Sequence, residues 1–399
     1  MPKKGKEVYF MVTPEKAQAI KENVLKTFRR EPHSWVPIMP RVGTALLDYS
    51  GTNYWEMQTH PEDTPDVMLK IFADGMPADC ITSAKFYMCP EFERLLQGCV
   101  QSKLSEDGIT LQHLQNAQMN EDEYPLAIKD LDNFIKNTLI RRKMPFLFDM
   151  EVKDAARLLE QAVDARSQTN AGAMGQVGVE IEKRYGTYLF ADGRGQLTTP
   201  GDIIFDNYRG FKGTLTDLRR HFEEMKEFCD VLWEKGYAKD FNTMKLFEDK
   251  YICYMAHIPA FLNQKQYDAL CYKYFKRQMT AIDAQNSKLY ILAEGKWEHL
   301  FDFMLDLPKD CLVMNVENDD VCDAYKAIGH HQILIGGSLL VDTKMNSLEY
   351  NKDQVKRVMD TCAPGNAFIY GSDKSWCCKG DVNETLLETF KFAAEYGKY

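Results

Sequence analysis

Residues 289–308 of this chain read LYILAEGKWEHLFDFMLDLP and contain two elements of different character. The first five residues are apolar and rich in Leu, Ile and Tyr, a composition typical of a buried β-strand. After Glu294 and Gly295 an amphipathic segment begins, which predicts a helix. A carboxylate beside a buried strand costs free energy unless another group compensates. Glu294 is therefore the first candidate for a functional side chain.

The same order of strand and helix recurs through the C-terminal half of the chain. Strand patterns are found at 250–257, 288–294, 311–317, 332–337 and 367–372. The helical patterns between them cover 264–285, 297–305, 319–329 and 351–362. Because these strands are apolar throughout rather than alternating, they predict a parallel sheet that is buried on both faces.

Two further strand patterns, at 35–40 and 79–86, bring the number of strand positions to about eight. The predicted fold class is α/β, a (β/α)8 TIM barrel with an N-terminal helical elaboration. A doubly wound open sheet is the competing architecture. We expect one domain over 1–399, with an N-terminal helical extension at 1–34 and a long helical insertion at about 90–190.

Composition excludes several classes of partner. The formal net charge of the 399 residues is -10 and basic residues are not clustered, so nucleic acid is not expected as a partner. No apolar stretch approaches the roughly 18 residues that span a bilayer, so no membrane partner is expected either. The N-terminus lacks the pattern of a signal peptide. The eleven cysteines include no spaced CxxC pair, which indicates reduced thiols and a cytoplasmic protein.

Polar residues mark the ends of the predicted strands. In an α/β barrel the functional face lies at the carboxyl ends of the strands. These ends carry His257, Glu294, Glu317 and Asp373, which we take as candidate catalytic residues. Each of them alone is equally compatible with an ordinary exposed loop. Their presence on several strands of one predicted barrel favours a shared site in which a carboxylate ligates a metal, transfers a proton or orients a substrate.

Other residues are candidates for substrate binding. We expect Trp35, Tyr54 and Trp55 to line a substrate pocket, together with Arg41 and Lys374. A role in the hydrophobic core is an equally good interpretation of these aromatic residues. The sequence has no HExxH, GxSxG or spaced CxxC motif, which excludes the zincin, hydrolase and zinc-ribbon classes.

The order of several stretches resembles the uroporphyrinogen decarboxylase-like superfamily of (β/α)8 barrels. Within this superfamily the chain is most similar to the methyltransferases of anaerobic corrinoid-dependent demethylation systems. The resemblance covers most of the chain from about residue 100 to the end. It is carried by the order of 109-ITLQHLQNAQMNEDEYPLAIKD-130, 200-PGDIIFDNYRGFKGTLTDLRR-220, 258-IPAFLNQKQYDALCYKYFKRQMTAI-282, 291-ILAEGKWEHLFDFMLDLP-308, 323-DAYKAIGHHQILIGGSLL-340 and 383-NETLLETFKFAAEYGKY-399.

The resemblance also bears on zinc. Zinc-bearing relatives have a His-x-Cys pair on the strand that here carries Leu292 and Glu294, and a cysteine near the position of Asp373 and Lys374. The thiolate ligands are thus missing, and the Lys374 ammonium repels a cation. Either an oxygen-rich site replaces them or this chain works without a metal. We assign no metal ligand and expect no tightly bound zinc.

The resemblance implies a methyltransferase that moves a methyl group from a small methylated compound, such as an aryl methyl ether, to cob(I)alamin. No corrinoid-binding Asp-x-His-x-x-Gly motif is present, so the cobalamin is expected on a separate corrinoid protein. A lyase or decarboxylase is the alternative, although 35–51 keeps only Arg41 of the arginine-rich stretch of the decarboxylase. A non-catalytic binding protein is the third interpretation. The methyl donor and the oligomeric state, monomer or homodimer, stay open.

Overall fold

The computed structural model of this protein describes residues 11–82, 89–97, 102–114, 118–168, 174–236, 246 and 248–398. The chain has an α/β fold in which a curled parallel sheet is surrounded by helices. The strands are β1 Ile38–Met39, β2 Cys80–Ile81, β3 Ser102–Leu104, β4 Leu111–His113, β5 Tyr188–Leu189, β6 Ala191–Leu197, β7 Tyr251–Ala256, β8 Leu289–Ala293, β9 Leu312–Val316, β10 Ile333–Ser338 and β11 Phe368–Ser372.

Six of the described helices lie between β2 and β5 in the chain, and the helices together surround the sheet. They are α1 Pro14–Phe28, α2 Ala45–Tyr49, α3 Tyr54–Thr59, α4 Thr64–Ala73, α5 Pro90–Leu95, α6 Tyr124–Lys129, α7 Leu131–Phe134, α8 Ile140–Lys143, α9 Val152–Ser167, α10 Met174–Tyr185, α11 Pro200–Ile203, α12 Gly210–Arg220, α13 Phe222–Glu234, α14 Gln264–Tyr267, α15 Lys273–Asp283, α16 Phe301–Leu305, α17 Val321–Ile328, α18 Leu340–Met345, α19 Leu348–Cys362 and α20 Glu384–Tyr396. Within the described residues, none of them is long and apolar enough to cross a membrane.

Seven strands form one parallel sheet in the order β1-β11-β10-β9-β8-β7-β6. Each of the seven strand patterns predicted from the sequence contains one strand, although 83–86 lie outside the described residues. β2 pairs in parallel with β5, which continues through Phe190 into β6. The sequence prediction missed the strand over 188–197, because two glycines and two charged residues interrupt its apolar pattern. The predicted helical insertion also contains the antiparallel pair of β3 and β4.

Backbone hydrogen bonds connect the two parallel sheets on both sides of β2. Asp79 directly precedes β2, and its N–H donates to the carbonyl of Ile38 in β1. On the other side, the Phe190 N–H donates to the carbonyl of Ile81, and the Ala191 N–H donates to that of Thr82. β2 therefore lies between β1 and the strand that runs through β5 and β6.

The strands alternate between two hydrophobic clusters, because successive side chains of a strand point to opposite faces. One cluster packs strand side chains such as Ile291 and Met314 against the surrounding helices. The inner cluster contains Met39, Cys80, Phe190, Tyr290, Val313, Ile335 and Ile369. Val24 and Phe28 of α1 belong to this inner cluster as well, so the N-terminal helical extension closes the amino ends of the strands.

Candidate functional site

Strand alternation places the predicted catalytic residues at the open end of the curled sheet. Tyr290 and Val313 face inward, and they are paired in the parallel ladder of β8 and β9. Leu292 and Asn315 are paired two residues further on. Two residues beyond these, just after the strands end, come Glu294 and Glu317. Glu294 and Glu317 thus follow the inward-facing Tyr290 and Val313 by four residues. His257 follows the inward-facing Cys253 of β7, and Asp373 follows Ile369 of β11, by the same interval.

His257 contacts two carboxylates. Its Nδ1 atom lies 2.8 Å and 3.0 Å from the two carboxylate oxygens of Asp206. Its Nε2 atom lies 3.8 Å from Oε1 of Glu294. Burial alone lowers the pKa of His257, but the hydrogen bond and charge of Asp206, with the charge of Glu294, raise it to about 9. The raised pKa favours the protonated imidazole, and Nε2 is the ring nitrogen that faces Glu294.

Asp202 and a π-helical segment position this pair. Asp202 is fully buried, and its Oδ1 accepts hydrogen bonds from the backbone N–H groups of His257 at 2.9 Å and Ile258 at 3.0 Å. The helix that begins at Pro200 continues as a π-helix over Ile204–Arg209, a geometry that is frequent at functional sites. Asp206, four residues after Asp202, lies in this segment and reaches the His257 side chain. Asp202 thus holds the backbone at the end of β7, and Asp206 holds the imidazole of His257.

Glu294 is a partly exposed carboxylate with a raised pKa. Burial is the largest cause, and the negative charges of Glu317 and Asp206 act in the same direction. The positive charges of His257 and Arg41 oppose the shift. Burial of a carboxylate among other carboxylates favours its neutral, proton-carrying form. Glu294 and His257 together therefore form a group that can hold and donate a proton.

Glu317 connects Glu294 to the last strand. Its Oε2 accepts a hydrogen bond from the backbone N–H of Gly295 at 2.6 Å, and its Oε1 lies 3.2 Å from the Lys374 ammonium. Gly295 has a φ of +80°, and a Cβ atom there would lie 2.5 Å from the Cβ of Ala260. Only glycine fits this turn, because a side chain is strained by the φ and blocked by Ala260. The turn keeps Glu294 and Glu317 together at the carboxyl ends of β8 and β9.

Asp373 is buried at the end of β11 and accepts two backbone hydrogen bonds. The donors to its Oδ1 are the N–H groups of Leu340 at 3.1 Å and Lys374 at 2.8 Å. Burial raises the pKa of Asp373 to about 6, although the charge of Lys374 and these hydrogen bonds oppose the shift. Through these hydrogen bonds Asp373 holds the backbone around Lys374 in place.

Arg41 extends from the end of β1 into the interior of the sheet. Its guanidinium donates to Tyr290 Oη, to Asn315 Oδ1 at 3.1 Å and to Ser375 Oγ at 2.8 Å. Asn315 in turn donates to the carbonyl of Ser372 at 3.1 Å. Arg41 therefore forms part of the floor beneath the carboxylates, one layer below Glu294.

The structure separates the three aromatic candidates. Trp35 precedes β1, pairs with Lys398 and lies at the amino ends of the strands, opposite the carboxylate cluster. Tyr54 is 4% exposed and belongs to the hydrophobic cluster between the strands and the surrounding helices. Trp55 is 44% exposed and packs against Gly108 beside β4. Among the residues expected to bind substrate, Arg41 and Lys374 are the ones that lie with the predicted catalytic residues.

Sequence patterns did not identify Asp202, Asp206 or Asn315. The two aspartates lie four residues apart after Pro200, so they share one face of a helix, and this spacing was the available signal. Asn315 lies in the middle of an apolar strand, where an uncharged polar residue indicates a buried hydrogen-bond partner.

The donors at this site do not match a thiolate zinc site. Its side chains offer oxygen and nitrogen atoms, Nδ1 of His257 is engaged by Asp206, and the Lys374 ammonium contacts Glu317. Within the part of the chain that the structure describes, the group of three clustered ligand atoms comes from Glu121, Asp217 and His221. There Asp217 is held by the Arg209 guanidinium, which opposes a cation.

Comparison with known proteins adds a likeness of fold. Neither a family model nor a curated protein matches the sequence. A solved structure of a methyltransferase from Methanosarcina mazei is similar to this chain with a TM-score of 0.52 and 12% sequence identity. The match covers 94% of this chain and 98% of that chain. The likeness is one of fold.

Proposed function

We propose that this protein is a methyltransferase that takes a methyl group from a small methylated compound and passes it to a reduced corrinoid carried by a separate protein. One observation supports the proposal best: the imidazole of His257 is held by Asp206 and faces Glu294 at the carboxyl ends of parallel strands. Methyl transfer from an ether oxygen is assisted by a proton on the leaving oxygen, and this group can supply one. The fold shared with a methyltransferase is consistent with it.

The residues of the chain have distinct roles in this proposal. His257 donates the proton from Nε2, while Glu294 orients the imidazole and returns a proton to it after the reaction. Asp206 maintains the imidazolium, and Asp202 holds the backbone of the strand end. Arg41 and Lys374 place positive charge around the carboxylates and bind polar groups of the substrate. The corrinoid supplies a nucleophile for the methyl carbon, and the enzyme's contribution is alignment and proton donation.

We further propose that the sheet closes into a (β/α)8 barrel of the uroporphyrinogen decarboxylase-like superfamily. The backbone hydrogen bonds on both sides of β2 support closure, because they connect β1 with the strand through β5 and β6. Counting that strand once, the closed cylinder contains eight strands. An experimental structure in which β1 and β2 are separated would contradict this part of the proposal.

A decarboxylase is the second candidate, and the position of Arg41 favours it. A guanidinium in the barrel interior, one layer below a proton donor, suits a substrate carboxylate. Decarboxylation of such a substrate also requires a proton donor for the carbanion that forms. This candidate needs no corrinoid partner, and that difference separates the two functions experimentally.

A methylation assay tests the proposal. The purified protein is mixed with a cob(I)alamin-bearing protein and a panel of methoxy and methylamine compounds, and methylation is followed by the absorbance change of the corrinoid. We expect turnover with at least one compound and its collapse in a His257→Gln variant. Release of carbon dioxide from a carboxylated substrate, without corrinoid methylation, would instead support the decarboxylase.

The proposal also includes the metal requirement of the reaction and the cellular compartment of the protein. We propose that the reaction proceeds without a tightly bound zinc ion. The described cysteines form no disulfide, which fits the reducing cytoplasm that we propose as the site of the reaction.

A further inference from the structure

A row of exposed apolar side chains runs along α9 in the helical insertion. Val152, Ala156, Leu159 and Val163 follow one another at intervals of three or four residues, so they lie on one face of the helix. Val152 is 85% exposed, Leu159 40% and Val163 60%. These four residues form the outer stripe of α9. A contiguous apolar surface of this kind marks a binding surface.

α9 uses a different side for its packing within the chain. It rests on α5, where Arg166 lies over the ring of Phe92, and its buried side chain is Ala162. With 3.6 residues per turn, Ala162 lies about a quarter of a turn from the centre of the outer stripe. The outer stripe also does little for helix formation, because valine is a poor helix former. Neither packing on α5 nor helix propensity therefore explains it.

Four charged residues line one side of the outer stripe in a definite order. Lys153 and Arg157 lie toward the start of α9, and Glu160 and Asp164 lie toward its end. Their side chains are exposed, and none of them has an ion-pair partner among the described residues. The two like charges in each pair are four residues apart, a spacing that destabilises an isolated helix. An external partner with the opposite order of charges would replace this repulsion by attraction.

A second copy of α9 that runs in the opposite direction presents that order. A two-fold axis past the middle of the helix places Lys153 opposite Asp164 of the second copy, and Arg157 opposite Glu160 of the second copy. Each contact then occurs twice. A parallel pair of helices would instead place each charge beside its own copy. The order of charges therefore selects a second copy in the antiparallel arrangement.

We propose that the outer stripe is the interface of a homodimer in which α9 packs antiparallel against α9 of a second copy. The same two-fold axis brings Val152 toward Val163 of the second copy and Ala156 toward its Leu159. Apolar side chains thus meet along the centre of the interface, between rims of paired charges. This dimer does not depend on the proposed reaction.

The length of α9 determines how strong the dimer is. The helix has 16 residues, which corresponds to about 24 Å. One pair of such helices buries less surface than the roughly 1,600 Å² of a standard interface, so we expect a weak dimer with a Kd in the micromolar range. An anionic membrane surface is a poorer occupant, because Glu160 and Asp164 beside the stripe are repelled by its headgroups.

Analytical ultracentrifugation of the full chain over a series of concentrations tests the dimer. The wild-type protein should show a reversible equilibrium between monomer and dimer. Val163→Lys places a charge in the outer stripe and should raise the Kd at least about 10-fold. The matched control is Val179→Lys in α10, because Val179 is 55% exposed and the variant adds the same charge outside the stripe. This control should leave the Kd unchanged.

A charge exchange tests the antiparallel arrangement. Arg157→Glu places a carboxylate opposite Glu160 of the second copy, twice by symmetry, and should raise the Kd about 10-fold. Glu160→Arg should do the same. The double variant, with both substitutions, restores opposite charges at both contacts and should return the Kd to within about 3-fold of the wild-type value. Circular dichroism checks that α9 stays helical, as expected because Lys, Glu and Arg are good helix formers.

Three results would overturn the proposal. The first is a chain that stays monomeric at concentrations of up to about 0.5 mM, which would leave the outer stripe to a different partner. The second is a dimer whose Kd is the same in Val163→Lys and in the wild type, because its interface would lie elsewhere. The third is a double variant that dimerises no better than the two single variants, since an antiparallel pair requires the rescue.

Discussion

Asp206 contacts Nδ1 of His257 at 2.8 Å and thereby joins a π-helical turn to the end of a neighbouring strand. The contact leaves Nε2 as the imidazole nitrogen that faces Glu294. A carboxylate in this position fixes the ring orientation and stabilises the imidazolium. The proposed chemistry therefore depends on Asp206 and His257, which lie far apart in the chain, and each of them can be substituted separately.

Replacement of Glu294 by glutamine should reduce methyl transfer about 10²–10⁴-fold, the usual cost of removing an acid–base group. Glutamine keeps the size of the side chain but cannot carry the proton. The fold should persist, with an unchanged or raised Tm, because a carboxylate that is held among other carboxylates is destabilising. Rate measurements and thermal unfolding of the same preparation check both parts. Near-wild-type activity would remove Glu294 from the mechanism.

Replacement of Asp206 by asparagine should shift the pH dependence of the reaction. In the native protein the pKa of His257 is raised to about 9, so the proton donor is lost as the pH rises through that value. The variant loses the nearest negative charge, and the alkaline limb of the kcat profile should move down by about 1–2 pH units. An unchanged limb would show that another group controls the profile. Asp164→Asn, at an exposed position, is the control.

The same contact contributes to stability over a defined pH range. Because the pKa of His257 is higher in the folded state than the usual 6.5, the protonated imidazole stabilises the fold fully below about pH 6.5. This contribution is lost as the pH rises through about 9. Denaturant unfolding at pH 6 and pH 10 should therefore show a difference that is smaller in Asp206→Asn than in the wild type.

Asp373→Asn should make the protein more stable at neutral pH. Burial raises the pKa of Asp373 to about 6, so the folded state binds a proton more tightly than the unfolded state does. The free energy of unfolding then falls as the pH rises from about 4 through about 6. Asparagine carries no charge and can still accept the hydrogen bonds of Leu340 and Lys374. The gain should be at most about 3 kcal/mol at pH 7.5 and vanish near pH 4. A variant destabilised at pH 7.5 would contradict this.

The dialysed protein should contain far less than one zinc ion per chain. Among the described residues, the side chains named at the His257 site offer oxygen and nitrogen atoms, and the Lys374 ammonium contacts the Glu317 carboxylate. Elemental analysis checks the metal content, and activity should survive treatment with a chelator. Stoichiometric zinc that disappears in His257→Ala would instead demonstrate an oxygen- and nitrogen-ligated metal site at the strand ends.

Phe28→Ala should destabilise the protein by about 3–5 kcal/mol, the usual cost of removing a buried phenylalanine ring. Phe28 is fully buried, and its ring lies 5.3 Å from that of Phe190 and 5.0 Å from that of Tyr251. Urea unfolding provides the free energy. The exposed position Phe148 is the control, and its alanine variant should change stability far less. Equal effects would show that α1 does not close the amino ends of the strands.

The sequence by itself determined the elements that depend on local pattern. Apolar runs bounded by polar residues identified the strands at 289–293 and 312–316, because a strand buried on both faces must be apolar throughout. The same logic placed Glu294 and Glu317 at strand ends, since a charged residue ends a buried run. The strand at 188–197 was missed because its glycines and charged residues leave no such run.

Only the tertiary structure decided which side chains meet. Asp206 lies on the π-helical segment Ile204–Arg209 and reaches His257 at the end of another strand, and local sequence pattern does not specify a contact between elements so far apart in the chain. Trp35 lies at the opposite end of the sheet from Arg41, although only six positions separate them, because β1 runs between them. A residue's type and spacing determine what it can do chemically. The direction of the strand that carries it determines whether it stands at the site.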